Sequence, residues 1–182
     1  MIYNELKSGT DIRGVASDLG GKTVNLTDEA VYDITRAFVV WYTNKFSCDS
    51  KDLRVAVGRD SRITGPKIAA KVIEALEISG VTVYECGMTS TPAMFMTTVM
   101  YGCDAAIQIT ASHHPFNRNG LKFFTTSGGL SGEDITAILT LANEDQHLSR
   151  VESAPVEEYD FMADYSAHLR KLIIDGTGLE KP

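Results

Sequence analysis

Leu53-Arg54-Val55-Ala56-Val57-Gly58 is a short apolar run that stops at a glycine, and a different periodicity starts at Thr64-Gly65-Pro66. There Thr64 reads as a helix cap with proline in the first turn. Ile68, Val72, Ile73, Ala75 and Leu76 then share one helical face until Gly80. The pattern repeats twice. Val81-Thr82-Val83-Tyr84-Glu85-Cys86 is a β-branched strand closed by Gly87. Thr91-Pro92 opens a helix that runs through Met100 to Gly102, and Ala105-Ala106-Ile107-Gln108-Ile109-Thr110 is a third strand. Strand and helix alternating with short connections predict a parallel sheet covered by helices on both faces, with right-handed crossovers.

Toward the amino terminus, Thr27 caps a further helix. Asp28 and Glu29 suit its positive end, and Ala30, Val31, Ile34, Ala37, Phe38 and Trp41 form its apolar face. Toward the carboxyl terminus a loop, Ala111 to Asn119, leads into Gly120-Leu121-Lys122-Phe123-Phe124-Thr125. That strand follows its predecessor too closely for a crossover helix, so an antiparallel place at one edge is expected. Ser131 and Asp134 resemble a capping box ahead of Ile135, Ile138, Leu139 and Leu141, and Tyr159 to Ile174 is a last amphipathic helix after the break at Ala154-Pro155. The expected architecture is α/β: a three-layer α/β/α fold on a mixed, mostly parallel sheet of about four strands, one edge strand antiparallel. Residues 1–155 are expected to form the domain. Residues 156–182 are expected to form a final helix and the start of a linker to a missing second domain.

The 182 residues carry 17 Lys+Arg against 24 Asp+Glu, a formal charge of −7, with 43% hydrophobic and 23% charged residues. A chain this long buries roughly 70% of its unfolded surface and needs no staples. The acidic balance argues against a nucleic-acid surface. The longest apolar run, Ala37 to Tyr42, is far short of the ~20 residues that span a bilayer, and no signal peptide is visible at the start. Cys48, Cys86 and Cys103 are odd in number and widely spaced, which fits a reducing cytoplasm rather than a disulfide framework or zinc site. They read as buried apolar residues. Met88, Met94, Met96 and Met100 read as core packing, His147 and His168 as helix-surface residues, and Glu152, Glu157, Glu158 and Asp160 as a solvated face.

Ligands of open α/β sheets bind at the carboxyl ends of the strands. Three loops lie there: Gly58 to Arg62, Gly87 to Pro92, and Thr110 to Lys122. The third gathers a hydroxyl, two imidazoles, guanidinium, amides and a lysine, a set suited to phosphate chemistry. A lone hydroxyl needs a base, and His113 or Lys122 could serve. The loop holds no acidic residue, so it cannot build a metal site alone. Taken singly, a Ser-His pair or a loop histidine is most often just a hydrogen-bonded surface feature.

The sequence Thr110-Ala111-Ser112-His113-His114-Pro115, followed by Asn119-Gly120-Leu121-Lys122, resembles the phosphoserine signature of the α-D-phosphohexomutases, the family of phosphoglucomutase and phosphomannomutase. Gly9-Thr10-Asp11-Ile12-Arg13-Gly14 resembles that family's amino-terminal segment, and Val57-Gly58-Arg59-Asp60-Ser61-Arg62 its Gly-Arg-Asp-x-Arg segment. The resemblance implies that Ser112 carries a phosphoryl group, which it gives to a glucose or mannose phosphate. The bisphosphate formed returns its other phosphoryl group, so phosphate moves between the 1 and 6 positions. It further implies that His113 and Lys122 handle protons, that Arg13 stabilises charge, and that Arg118 and Asn119 belong to the phosphate-binding surface. Arg59 either lines the same cleft or pairs with Asp60 or a neighbouring loop. Mg2+ is implied as cofactor, bound through the phosphate on Ser112 with its other ligands in a missing domain.

Two departures are visible. His114 stands where the family often has Asn, which can alter hydrogen bonding around the serine. The amino-terminal segment lacks the extra glycine before Ile12 typical of glucosamine-type mutases, which favours glucose or mannose phosphate. The Asp-rich metal loop and the sugar-selecting loop of the longer family members are not found in these residues. The chain is therefore expected to be the first domain alone, inactive by itself, with the hexose phosphate and the remaining domains of the same chain as partners. A phosphosugar- or anion-binding domain without turnover is the alternative. A Ser-His hydrolase fits poorly, because there is no Gly-x-Ser-x-Gly elbow.

Overall fold

The structure, a computed structural model, describes residues 2–144, 149–151 and 153–178. The alternating segments fold as read: α1 (Asp28–Phe46), β3 (Arg54–Arg59), α2 (Gly65–Glu77), β4 (Thr82–Met88), α3 (Thr91–Met100) and β5 (Ala105–Ile109). Strands β1 (Lys7–Ser8) and β2 (Asp11–Val15) precede them. Strands β6 (Arg118–Thr125) and β7 (Gly128–Gly129), helix α4 (Gly132–Asn143), strand β8 (Val156–Glu158) and helix α5 (Phe161–Thr177) follow. The result is a three-layer α/β/α fold. Its sheet runs β1-β2-β6-β5-β3-β4-β8, with β7 on β6.

The sheet has a parallel half and an antiparallel half. β3 pairs in parallel with both β4 and β5, and β8 adds to β4 in parallel. β6 is antiparallel to β5 on one side and to β2 on the other, and β1 closes that edge. Two expectations change here. Among the described residues the sheet has eight strands rather than about four. The antiparallel strand after the serine loop is internal, because Asp11-Ile12-Arg13-Gly14-Val15 covers its outer edge. β2 has little apolar content to announce it. Likewise β8 is exposed and polar, yet the Val83 amide donates to the Pro155 carbonyl and the Tyr159 amide to the Glu85 carbonyl, so the sheet continues past residue 155.

The larger core lies between the sheet and α1, α2 and α4. Leu6, Ile12, Val55, Val57, Ile107, Ile109, Leu121 and Phe123 meet Ile34, Phe38, Val72, Leu76, Ile135 and Ile138 there. The Phe38 ring stacks on Phe123 with centroids 4.7 Å apart. α1 also buries Thr35, Arg36, Val39 and Tyr42, more than one face, because it is flanked by both α2 and α4. The other face of the sheet is covered by α3 and the start of α5, around Ala56, Ala106, Met94, Phe124 and Phe161.

Local signals behave with three exceptions, at Thr64, Cys48 and Met88. Thr27 accepts from the Ala30 amide, and Ser131 and Asp134 form the reciprocal capping box. Thr64 stands at the head of α2 in helical rather than extended geometry and makes no cap bond, its hydroxyl accepting instead from Asn119. Cys86 and Cys103 are buried, and burial pushes their thiols up to about 12 and about 11, whereas Cys48 is only partly buried. Met94 is core but Met88 is 61% exposed, at the open end of β4. Glu157, Glu158 and Asp160 are exposed and His168 is partly exposed, while His147 and Glu152 lie outside the described residues.

Candidate active site

β3 and β5 are parallel neighbours with Arg59 opposite Ile109, so the loops that leave their carboxyl ends lie side by side. Ser112 sits in the second of these, exposed, with φ +52°. That left-handed backbone costs a non-glycine residue about 1–2 kcal/mol, so something must hold it. Both polar groups of the Ser112 backbone are held. Its amide donates to Thr110 Oγ1 at 3.0 Å, and Thr110 in turn donates to Asp60 Oδ2 at 2.7 Å. Its carbonyl accepts from Arg62 Nη2 at 2.8 Å. The same guanidinium donates to the carbonyls of His114 and Pro115 at 2.8 Å and of Arg118 at 2.9 Å. Asp60 lies 3.3 Å from Arg62 Nε and accepts from the Arg62 amide. Hydrogen bonds to a charged donor are worth about 1.5–3 kcal/mol each, enough together to outweigh the strain at Ser112.

The other wall comes from β2 and β6. Ile12 pairs with Leu121 and Arg13 with Gly120, which carries Asp11 opposite Lys122. The Asp11 carboxylate is shared. One oxygen is 2.6 Å from Arg13 Nη2 and the other 2.8 Å from Lys122 Nζ. Asp11 and Arg13 project from the same face because they are two residues apart on a strand. Arg13 Nη1 and Arg118 Nε are buried with no hydrogen-bond partner among the described residues, and Arg118 Nη2 reaches the Arg13 carbonyl at 3.5 Å.

His113 is exposed, its Nδ1 3.4 Å from Ser112 Oγ and its ring stacked on His114 with centroids 5.1 Å apart. At that length the serine contact is weak. The His114 imidazole is held below its ordinary pKa, first by burial and then by the positive charges of Arg13, Arg118, His113 and Arg62. Three guanidiniums therefore act on His114, two of them paired with carboxylates, Arg13 with Asp11 and Arg62 with Asp60. A depressed histidine pKa means that the unfolded chain takes up the proton first. As pH falls below about 6.5 the His114 contribution turns against folding, and it is spent once the folded value is passed. An NMR titration is expected to place the His114 midpoint below that of an ordinary histidine. Phosphate on Ser112 is expected to move it back up by adding negative charge.

The structure thus places Ser112 and His113 on the loop that Arg62 holds, Arg118 with its guanidinium on the Arg13 carbonyl, and Arg13 and Lys122 on the one Asp11 carboxylate. Asn119 turns inward, and Arg59 takes the second of its two expected places, beside Asp60. Asn119 is completely buried, its side-chain amide donating to Thr64 Oγ1 at 2.9 Å and its carbonyl oxygen accepting from the Gly120 amide. Arg59 points along its own loop, within 3.5 Å of the Asp60 carbonyl and packed beside Gly65. The residues that sequence reasoning left without a role are Asp11, Asp60, Arg62 and Thr110. The available signals were their places inside the three family-like segments and, for the charged ones, spacing: Asp11 lies two before Arg13, and Asp60 two before Arg62. Among the described residues no three His, Cys, Asp or Glu side chains are grouped to hold a metal ion. The residues present do not by themselves fit a magnesium site.

A serine loop at the carboxyl ends of parallel strands sits where open α/β domains bind their ligands, and comparison with known proteins identifies the family. Residues 5–148 match the family model described as phosphoglucomutase/phosphomannomutase, alpha/beta/alpha domain I. A phosphoglucomutase of Neisseria gonorrhoeae is 32% identical over 168 residues, covering 92% of this chain and 34% of that protein. A phosphoglucosamine mutase of Lactobacillus delbrueckii subsp. bulgaricus is 36% identical over 121 residues, 66% of this chain and 25% of that protein. The crystal structure of a phosphoglucomutase/phosphomannomutase family protein from Burkholderia thailandensis superposes with a TM-score of 0.77 at 26% identity, covering 94% of this chain and 36% of that one. The chain belongs to the phosphoglucomutase/phosphomannomutase family, as its α/β/α domain I, and spans about a third of the length of the phosphoglucomutase it matches.

Proposed function

We propose that this chain is the phosphoserine-carrying domain of a hexose-phosphate mutase acting on glucose or mannose phosphate. In the forward half-reaction the Ser112 Oγ–phosphorus bond breaks as a sugar hydroxyl oxygen bonds to phosphorus. The sugar hydroxyl gives up its proton and Ser112 Oγ ends as a hydroxyl. The bisphosphate then turns over and returns its other phosphoryl group to Ser112, with the proton movements reversed. Such transfers depend on placement and charge neutralisation more than on covalent help. The observation that carries the reading is Ser112 itself, exposed on a strained backbone in a loop whose carbonyls are held by the Arg62 guanidinium.

His113, beside the serine oxygen, and Lys122, on the Asp11 carboxylate, are the proton-handling residues of this reading. Arg13 and Arg118 meet the phosphoryl charge. Mg2+ is the proposed cofactor, its chemistry being neutralisation of phosphoryl charge. This chain offers it only the phosphate on Ser112, so its carboxylate ligands and the sugar-selecting surface belong to other parts of the protein. No helix of the described residues is long and apolar enough to cross a membrane, and a cytoplasmic setting is proposed. The full-length protein is expected to interconvert the 1- and 6-phosphates of glucose or mannose and to be primed by the hexose bisphosphate. Phosphosugar binding without interconversion, unaffected by Ser112→Ala, would leave only an anion-binding domain.

A further inference from the structure

The serine loop closes two turns of its own, His114 amide to the Ala111 carbonyl and Arg118 amide to the Pro115 carbonyl, but neither bond uses a group of Ser112, whose backbone sits in a conformation it would not choose. Arg62 comes from a different loop, 50 residues earlier, and is only 12% exposed. Its guanidinium binds four carbonyls that span the loop from Ser112 to Arg118. A planar fork of donors can do this; an ammonium, with three donors on one atom, cannot reach the same set. Asp60 joins the two fixed points of Ser112. It pairs with Arg62, which holds the serine carbonyl, and accepts from Thr110, whose oxygen holds the serine amide. None of these three side chains is needed to make β3 or β5, whose ladder is complete without them.

We infer that Arg62, seated by Asp60, is a positioning residue that clamps the serine loop and sets where Ser112 Oγ, and any phosphoryl group on it, points. Of the two arginines at the carboxyl end of β3 and in the loop after it, Arg62 rather than Arg59 then governs the reaction, and it does so without touching substrate. The inference rests on the mutase reading for its effect on rate, but the clamp itself does not. A displacement of about 1 Å at a transferring group costs on the order of 100-fold in rate.

The test uses the full-length protein, with Arg62→Lys as the first variant and amide hydrogen exchange and steady-state kinetics as readouts. Exchange across residues 111–118 is expected to rise at least about tenfold. The kcat for hexose-phosphate interconversion is expected to fall about 100-fold with KM within about threefold. Thr110→Val is expected to show the same split, and Thr110→Ser, which keeps the hydroxyl, to recover most of the rate. Should Arg62→Lys fail to fold, the Thr110 pair decides. Wild-type exchange in the loop, or faster exchange with unchanged kcat, would overturn the inference. Faster exchange in a protein whose wild type does not interconvert hexose phosphates would leave the clamp standing and remove the mutase reading instead.

Discussion

Ser112→Ala in the full-length protein is expected to lower hexose-phosphate interconversion by roughly a thousandfold or more, the scale seen when an enzyme loses its covalent carrier. Binding of the hexose phosphate should change little, because the cations Arg13, Arg118 and Lys122 belong to other positions. The fold should not suffer either. Ser112 is exposed, and its side chain makes only the long contact to His113. Ser112→Gly sharpens the point. Glycine adopts a φ of +52° without penalty, so this variant is expected to be as stable as the wild type, or about 1 kcal/mol more so, and equally inactive. A dead enzyme with an undiminished melting temperature separates the chemistry at this position from its structure.

Gly120→Ala is expected to have the opposite profile, a large loss of stability. Gly120 lies where β2 and β6 cross the base of the site. A methyl group there would sit 2.1 Å from the Ile12 carbonyl oxygen, 2.9 Å from Arg13 Cγ and 3.1 Å from the Thr110 carbonyl oxygen. Two of these three are backbone, so neither can swing aside. The strands would have to part, which breaks the ladder that aligns Arg13 and takes Lys122 with it. A cost of about 3 kcal/mol or more follows, at the upper end for overpacking. In a domain of this size that is roughly a 10 °C drop in melting temperature. Gly87 is the control. It has a positive φ of +62° but nothing within 4 Å, so Gly87→Ala should cost only its backbone strain, about 1–2 kcal/mol. Thermal melts of the two variants distinguish steric closure from conformational strain.

The parallel half of the sheet was legible because buried strands such as Val55-Ala56-Val57 and Ala105-Ala106-Ile107 are continuous apolar runs bounded by glycine, and the helices between them carry 3.6-residue periodicity. β2 and β8 were not legible. Asp11-Ile12-Arg13-Gly14-Val15 spends two of its five positions on the charged site, and Val156-Glu157-Glu158 is an exposed edge strand with no face to bury. Missing β2 is what put β6 at an edge. The site divides along a similar line. Ser112, Arg13 and Lys122 stood out through segments shared with a known family, and the structure sets Arg13 and Lys122 on one carboxylate, that of Asp11. Arg62 closes the Gly-Arg-Asp-x-Arg segment, but its role was not legible, because it acts on carbonyl oxygens, which every residue has. Asn119 sits within the motif, but its amide is used inside the protein, and only burial could reveal that.

The most direct test of the central claim is where phosphate resides. The full-length protein, treated with a hexose 1,6-bisphosphate and digested, is expected to carry one phosphoryl group, on the peptide containing Ser112. That group should be discharged to bisphosphate when excess hexose monophosphate is added. Phosphate on any other residue, or sustained interconversion with Ser112 never phosphorylated, would contradict the account.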